Sequence, residues 1–179
     1  RCYHAYSMKQ LTAASPTYFS AGTNEPQFAS CFLLGSEDSI KGIYKTEWDM
    51  AVISKEAGGI GVHMHCIRSR GAPIRGGRAQ SNGLAPFLRS YNYTMLAVNQ
   101  GGRRNGSAAI YLMPHHPDIL EFLTLKLKTG LDRDRARDLF YAMWLPNIFM
   151  KRVRANRMWS LFDPKLTEDL SAYHDEYVD

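Results

Sequence analysis

The chain has 179 residues, 45% of them hydrophobic and 22% charged, a balance that excludes a disordered tail, a collagen-like repeat and a disulfide-stapled miniprotein. Its three cysteines, Cys2, Cys31 and Cys66, contain no Cys-x-x-Cys pair, which argues against a zinc site or a secreted disulfide framework and for a reducing, cytoplasmic compartment. The net charge of +5 favours an anionic partner, nucleotide phosphate or nucleic acid, and no run approaches the roughly 18 apolar residues of a membrane helix.

From Phe28 to Leu34 an apolar run with aromatics at Phe28 and Phe32 predicts a strand buried on both faces, with Cys31 inside it. Asp38-Ser39 then opens a helix whose apolar positions Ile40, Ile43, Tyr44, Trp48, Ala51 and Val52 share one face, with Gly58-Gly59 as its stop. Ile60 to His65 reads as a second strand, followed by a loop over 68–83 rich in Gly and Arg. Leu84, Phe87, Leu88, Tyr91 and Met95 form the next helical stripe, with Ser81 or Asn82 as its expected cap and Pro86 near the first turn. A Gly-rich loop over 100–106 leads into a third strand, Ala108 to Leu112. Pro117 starts a helix with Ile119, Leu120 and Leu123 on its apolar side, and Leu139 to Trp144 resembles a fourth strand. Pro146 opens a helix through Ile148, Phe149 and Val153, and Met158 to Phe162 reads as a fifth strand. Strands alternating with helices predict parallel βαβ units in one α/β domain, either a barrel or an open doubly wound sheet.

The chemistry concentrates in two loops. Gln100-Gly101-Gly102-Arg103-Arg104-Asn105-Gly106 and Arg75-Gly76-Gly77-Arg78 combine glycines, which admit a ligand close to the backbone, with guanidinium groups suited to phosphate. Neither matches a Walker A or dinucleotide fingerprint. Cys31 in a buried strand would by position be an inert core thiol. His63 and His65 alternate on one strand face and His115-His116 are adjacent, a layout able to bind metal but more often incidental, so no metal site is expected; no Ser-His-Asp, paired-carboxylate or His-Glu-x-x-His motif is present. Arg133, Arg135 and Arg137 interleave with Asp132, Asp134 and Asp138 as a solvated mixed-charge turn.

Eight stretches in order resemble the large, catalytic subunit of class I ribonucleotide reductase. They are Ala14-Ser15-Pro16-Thr17 with Ala21-Gly22-Thr23, Ser30-Cys31, Asp38-Ser39-Ile40, Ala57-Gly58-Gly59-Ile60-Gly61, Ile67-Arg68, Pro73-Ile74-Arg75-Gly76-Gly77, Gln100-Gly101-Gly102 with Arg104, and Arg135-Ala136-Arg137-Asp138. The resemblance implies a ten-stranded α/β barrel, with residues 1–179 forming its first part. It further implies reduction of ribonucleoside diphosphates to deoxyribonucleotides by thiyl-radical chemistry. Ser15 and Ser30 match substrate-binding positions, and Cys31 matches one thiol of the redox pair that becomes a disulfide on turnover. A disulfide releases two electrons, as many as one ribose reduction consumes. Asp38, Ser39, Ile40, Lys55, Arg68, Arg75 and Gly76 match the allosteric specificity site for a deoxynucleoside triphosphate or ATP with Mg. Gln100 and Arg104 match the loop that relays effector identity to the substrate.

The resemblance also implies a homodimer through the helices that begin at Asp38 and Leu84, a small partner subunit holding the metal and radical cofactor, and a thioredoxin or glutaredoxin-type reductant. No cofactor bound directly by this chain, no nucleic acid and no membrane are expected. The chain has no counterpart of the family's Asn-x-Cys-x-Glu segment, of the cysteine that pairs with Cys31, of the ATP cone or of the C-terminal cysteine pair. It is therefore expected to be a piece of a longer protein and inactive by itself. His115 stands where the family usually has Trp, and Asn105 where it has Gly or Pro. The alternative is a catalytically inactive reductase-like scaffold. A nucleic-acid module is disfavoured, since no basic and aromatic RNA-binding pattern occurs.

Overall fold

A computed structural model describes residues 1–74, 76–98 and 106–166. Two short helices, α1 (Cys2–Ser7) and α2 (Ser15–Ser20), precede the first strand. There follow β1 (Cys31–Gly35), α3 (Ile40–Lys55), β2 (Gly59–His63), the hairpin β3 (Pro73–Ile74) and β4 (Ala79–Gln80), and α4 (Ala85–Ala97). The remainder comprises β5 (Ala108–Leu112), α5 (Ile119–Thr124), a 3-10 turn (Asp132–Asp134), β6 (Phe140–Met143) and α6 (Asn147–Arg154). Strands β1, β2, β5 and β6 form one parallel sheet in that spatial order, and β3 pairs antiparallel with β4.

Pleating sends alternate side chains to opposite faces. Ile60 and Val62 of β2 and Ala108, Ile110 and Leu112 of β5 point into a core completed by Ile43 and Met50 of α3, Leu88, Tyr91 and Met95 of α4, and Phe122 of α5. Burial pushes the Tyr91 hydroxyl up to about 12, and it donates to the Ile43 carbonyl at 2.8 Å, joining α4 to α3. Glu47 adds two more ties between these helices, accepting from Ser90 Oγ at 2.7 Å and Thr94 Oγ1 at 2.6 Å. The opposite sheet face, carrying Cys31, Leu33, Gly35 and His63, is exposed. Among the described residues the core cluster lies on the helix-covered side of the sheet, as in the wall of an α/β barrel.

Several elements differ from the sequence expectation. β1 begins at Cys31 and is not buried on both faces: exposure alternates along it, and Leu33, on the uncovered face, is 87% exposed. On α3 the expected stripe splits. Ile43 is buried, but Ile40, Tyr44, Trp48 and Val52 are exposed, and the core side is completed by Gly42, Thr46, Met50 and Ser54. The helix ends in a Schellman turn in which Gly58 N donates to Ile53 O and Ala57 N to Ser54 O. The left-handed residue there is Ala57 (φ 66°). Gly58 serves packing, because a Cβ on it would lie 2.8 Å from the Phe32 ring. On α5, Ile119 and Phe122 are buried while the expected Leu120 and Leu123 are exposed. Residues 158–162 form no strand; Phe162 N donates to His115 O, and the Phe162 ring stacks on the His115 imidazole. The mixed-charge turn is tied down by Arg137, which pairs with Asp132 and donates to the Leu127 carbonyl at 2.8 Å.

Candidate functional site

At the C-terminal ends of β1 and β2, four of the residues matched to effector binding meet. Ser39 caps α3, its Oγ accepting from Gly42 N at 2.9 Å, and so fixes Asp38 just before the first turn and Ile40 at its start. Arg68 binds the Asp38 carboxylate through Nη2 at 2.7 Å and Nε at 2.9 Å, and its Nη1 donates to the Pro73 carbonyl at 3.0 Å. The hydrogen bond to Asp38 raises the Arg68 pKa further, so the guanidinium stays charged. Three of its five N–H groups are used internally, leaving donors for a phosphate. Gly76 (φ 66°) lies in the exposed β3–β4 connection anchored by that Pro73 bond. Arg75 lies outside the described residues.

Lys55 is not part of this cluster. It ends α3, which has 16 residues, so it stands about 22 Å from the Ile40 end at a helical rise of about 1.5 Å per residue. Its side chain is 77% exposed, with Nζ 3.5 Å from Glu56 Oε1.

Beside Asp38 opens a cavity of about 600 Å³ lined in part by Glu37, Asp38, His63, His65 and Cys66. The His63 and His65 rings stack with centroids 4.8 Å apart. His65 is pushed down to about 4, chiefly by burial, then by His63 and His116. Burial, and then the Asp38 charge, push the Cys66 thiol up. Among the described residues no group of three or more His, Cys, Asp or Glu side chains is placed to hold a metal ion.

The second cluster lies at the opposite end of the sheet. Cys31 opens β1, opposite Gly59 in register, and its thiol is exposed. The sequence expectation of a buried Cys31 is therefore corrected: pleating puts the thiol with Leu33 and Gly35 on the exposed sheet face, away from the helices. Accessibility is what a redox thiol needs. Ser30 Oγ lies 3.8 Å from Cys31 Sγ, and the Ser30 carbonyl accepts from Gly59 N at 2.7 Å. Ser15 is the exposed first residue of α2, and Ser20 of that helix ties it to the lead-in of β1 through Gln27, donating to its carbonyl at 2.6 Å. Gln100 and Arg104 lie outside the described residues.

Sequence reasoning missed Asp118. Its carboxylate accepts from Arg70 N at 3.0 Å and Leu84 N at 3.0 Å, closing the base of the loop that carries Arg75 and Gly76 and supplying the acceptor at the start of α4. Ser81, one of the expected caps, instead accepts from Gly83 N at 3.0 Å. The available signal was Pro117-Asp118, which reads as a cap for its own helix and in fact serves another. Asp163 was also missed; it accepts from both Ser69 N and Ser69 Oγ at 2.6 Å.

A family model described as ribonucleotide reductase, barrel domain, matches residues 29–179. The large subunit of ribonucleoside-diphosphate reductase from Arabidopsis thaliana is 54% identical over 164 residues, 90% of this chain and 20% of that protein. The Danio rerio large subunit is 56% identical over 164 residues, 90% of this chain and 21% of its own length. That of Trypanosoma brucei brucei is 51% identical over 180 residues, 99% of this chain and 22% of its own. The chain thus spans about a fifth of the length of the curated relatives it matches.

Proposed function

Because the chain belongs to the ribonucleotide reductase barrel-domain family, we propose that it forms the first part of the catalytic barrel of a ribonucleoside-diphosphate reductase large subunit. Its substrate is a ribonucleoside diphosphate, held in part by Ser15 and Ser30. Cys31 is one of two thiols that together give up two electrons and two protons: the ribose C2′–OH bond breaks, a C–H bond replaces it, and water and a disulfide are formed. The second thiol comes from elsewhere in the subunit, and a thioredoxin or glutaredoxin-type protein restores both. The partner small subunit supplies the radical that starts the chemistry. The observation that carries this reading is the exposed Cys31 thiol beside Ser30 on the open face of a parallel sheet.

The Asp38–Arg68 cluster suits the regulatory nucleotide. Ser39 and Ile40 frame the helix start, Arg68 offers its remaining donors to phosphate, and Asp38 accepts from the ribose or base. The apolar face formed by Ile40, Tyr44, Trp48 and Val52 of α3 and Tyr93 and Leu96 of α4 is exposed and fits a second copy of the subunit. An antiparallel pairing of two α3 helices would bring the Lys55 of one copy to the Asp38 end of the other. That accounts for a matched effector residue standing a helix length from its companions.

The test uses the full-length subunit with its small subunit. Cys31→Ser is expected to abolish reductant-driven turnover of ribonucleoside diphosphate while deoxynucleoside triphosphate binding persists. Undiminished turnover would overturn the assignment of Cys31. Absence of turnover from the wild-type pair would favour the inactive scaffold.

A further inference from the structure

The C-terminal turn of α3 packs against both ends, Val98 and Gly106, of the segment that contains Gln100 and Arg104. Ser54, 1% exposed, donates from Oγ to the Val98 carbonyl at 2.9 Å, the last described position before that segment. The segment ends at Gly106, which is buried against the same hydroxyl. A Cβ on Gly106 would lie 2.4 Å from Ser54 Oγ and 2.7 Å from both the Met95 and Val98 carbonyls. One buried hydroxyl therefore sets the position of both flanks. It belongs to the residue immediately before Lys55, and the Ser54 carbonyl accepts from Ala57 N within the Schellman turn. Val98 in turn is held to α4 through its amide, which donates to Thr94 O at 2.9 Å.

We infer that Ser54 is a positioning residue for effector-controlled substrate choice: it makes the ends of the segment carrying Gln100 and Arg104 follow the turn of α3 that carries Lys55. This rests on the reading of Lys55 as effector-binding and of Gln100 and Arg104 as the relay. A buried hydroxyl bonded to a half-buried carbonyl that no other described group satisfies is a stiff connection, since breaking it strands the buried Ser54 hydroxyl. Coupling between two sites requires such a shared element, biased by both.

The experiment compares wild type, Ser54→Ala and Ser54→Thr in the full-length subunit with its small subunit. The readout is the ratio of kcat/KM for a purine and a pyrimidine ribonucleoside diphosphate, measured under each of two deoxynucleoside triphosphates. Ser54→Ala is expected to reduce the effector-dependent change in that ratio by about fivefold or more, the low end of typical allosteric coupling. Effector affinity without substrate stays within about twofold, and Ser54→Thr, which keeps a hydroxyl, restores the response. A merely structural role would lower kcat for both substrates alike and leave the response intact; that result, or a fully responsive Ser54→Ala, overturns the inference. Should Ser54→Ala fail to fold, Ser54→Cys, with a weaker donor, is read by the same criterion. A wild-type enzyme whose preference ignores the effector would instead overturn the functional reading, and the inference with it.

Discussion

Arg68 grips Asp38 with two side-chain nitrogens and its own amide: Nη2 at 2.7 Å and Nε at 2.9 Å to Oδ2, and the backbone N–H at 3.2 Å to Oδ1. The carboxylate thus aims the guanidinium as well as offering acceptors of its own. Asp38→Asn removes the charge while keeping the shape. A hydrogen bond to a charged group is worth about 1.5–3 kcal/mol, so deoxynucleoside triphosphate affinity, read by equilibrium dialysis, is expected to fall by roughly tenfold or more. Unchanged affinity would remove Asp38 from the effector site.

Asp118→Ala leaves the Arg70 and Leu84 amides without their acceptor. Loss of two bonds to a buried carboxylate predicts destabilisation of about 2–4 kcal/mol, measurable as a lower urea midpoint. Gly83→Ala should act in the same direction: φ is +75° there, and a Cβ would lie 2.5 Å from Asp118 Oδ2. A near-neutral Gly83→Ala would contradict that geometry.

Stability should fall on acidification. His65 is held near 4 and His116 is also lowered, both chiefly by burial, against an ordinary 6.5. The unfolded chain therefore binds more protons between those values. The stabilisation is fully present above about pH 6.5 and is lost as pH drops toward 4. Urea midpoints near pH 7.5 and pH 5 should differ, and His65→Gln should narrow the difference. His116 adds a structural reason, because its Nε2 contacts the Ile67 carbonyl at 2.7 Å while its Nδ1 accepts from Asp118 N at 3.1 Å. Protonation of Nδ1 breaks the second bond.

Trp48, 67% exposed, stands at the centre of the uncovered α3 stripe. Trp48→Glu places a charge where a second copy would pack and is expected to shift sedimentation equilibrium of the full-length subunit from dimer toward monomer, with helical content unchanged. Persistence of the dimer would assign that face to something else.

Thiol reactivity separates the cysteines. Cys31 and Cys66 are both exposed residues, but partial burial of its thiol and then the Asp38 charge raise the Cys66 pKa. Iodoacetamide at neutral pH followed by peptide mass mapping should label Cys31 well before Cys66, since the thiolate is the nucleophile.

How far the sequence could be read depended on whether the signal was local. β5 was expected at Ala108 to Leu112 and has those bounds, because a short apolar run between breakers needs no partner to be recognised. The helix after Asp38 announced itself through its cap and period, but periodicity cannot tell which of two apolar faces the rest of the fold covers. Ile43 went inward; Tyr44 and Trp48 did not. The β3–β4 hairpin, with two residues per strand, is too short to carry an alternation. Resemblance supplied the candidate site residues, of which Asp38, Ser39, Ile40 and Arg68 lie together; it did not supply Ser54 or Asp118, because each acts on backbone groups distant in sequence.

The four long strands stand side by side in the order in which they are synthesised, each parallel to the one before. When β5 emerges from a ribosome, β2 is already laid down with one edge vacant; when β6 emerges, β5 presents the next. Assembly can thus be vectorial, each new strand meeting the one made just before it, which favours the native pairing in a slow parallel sheet during translation.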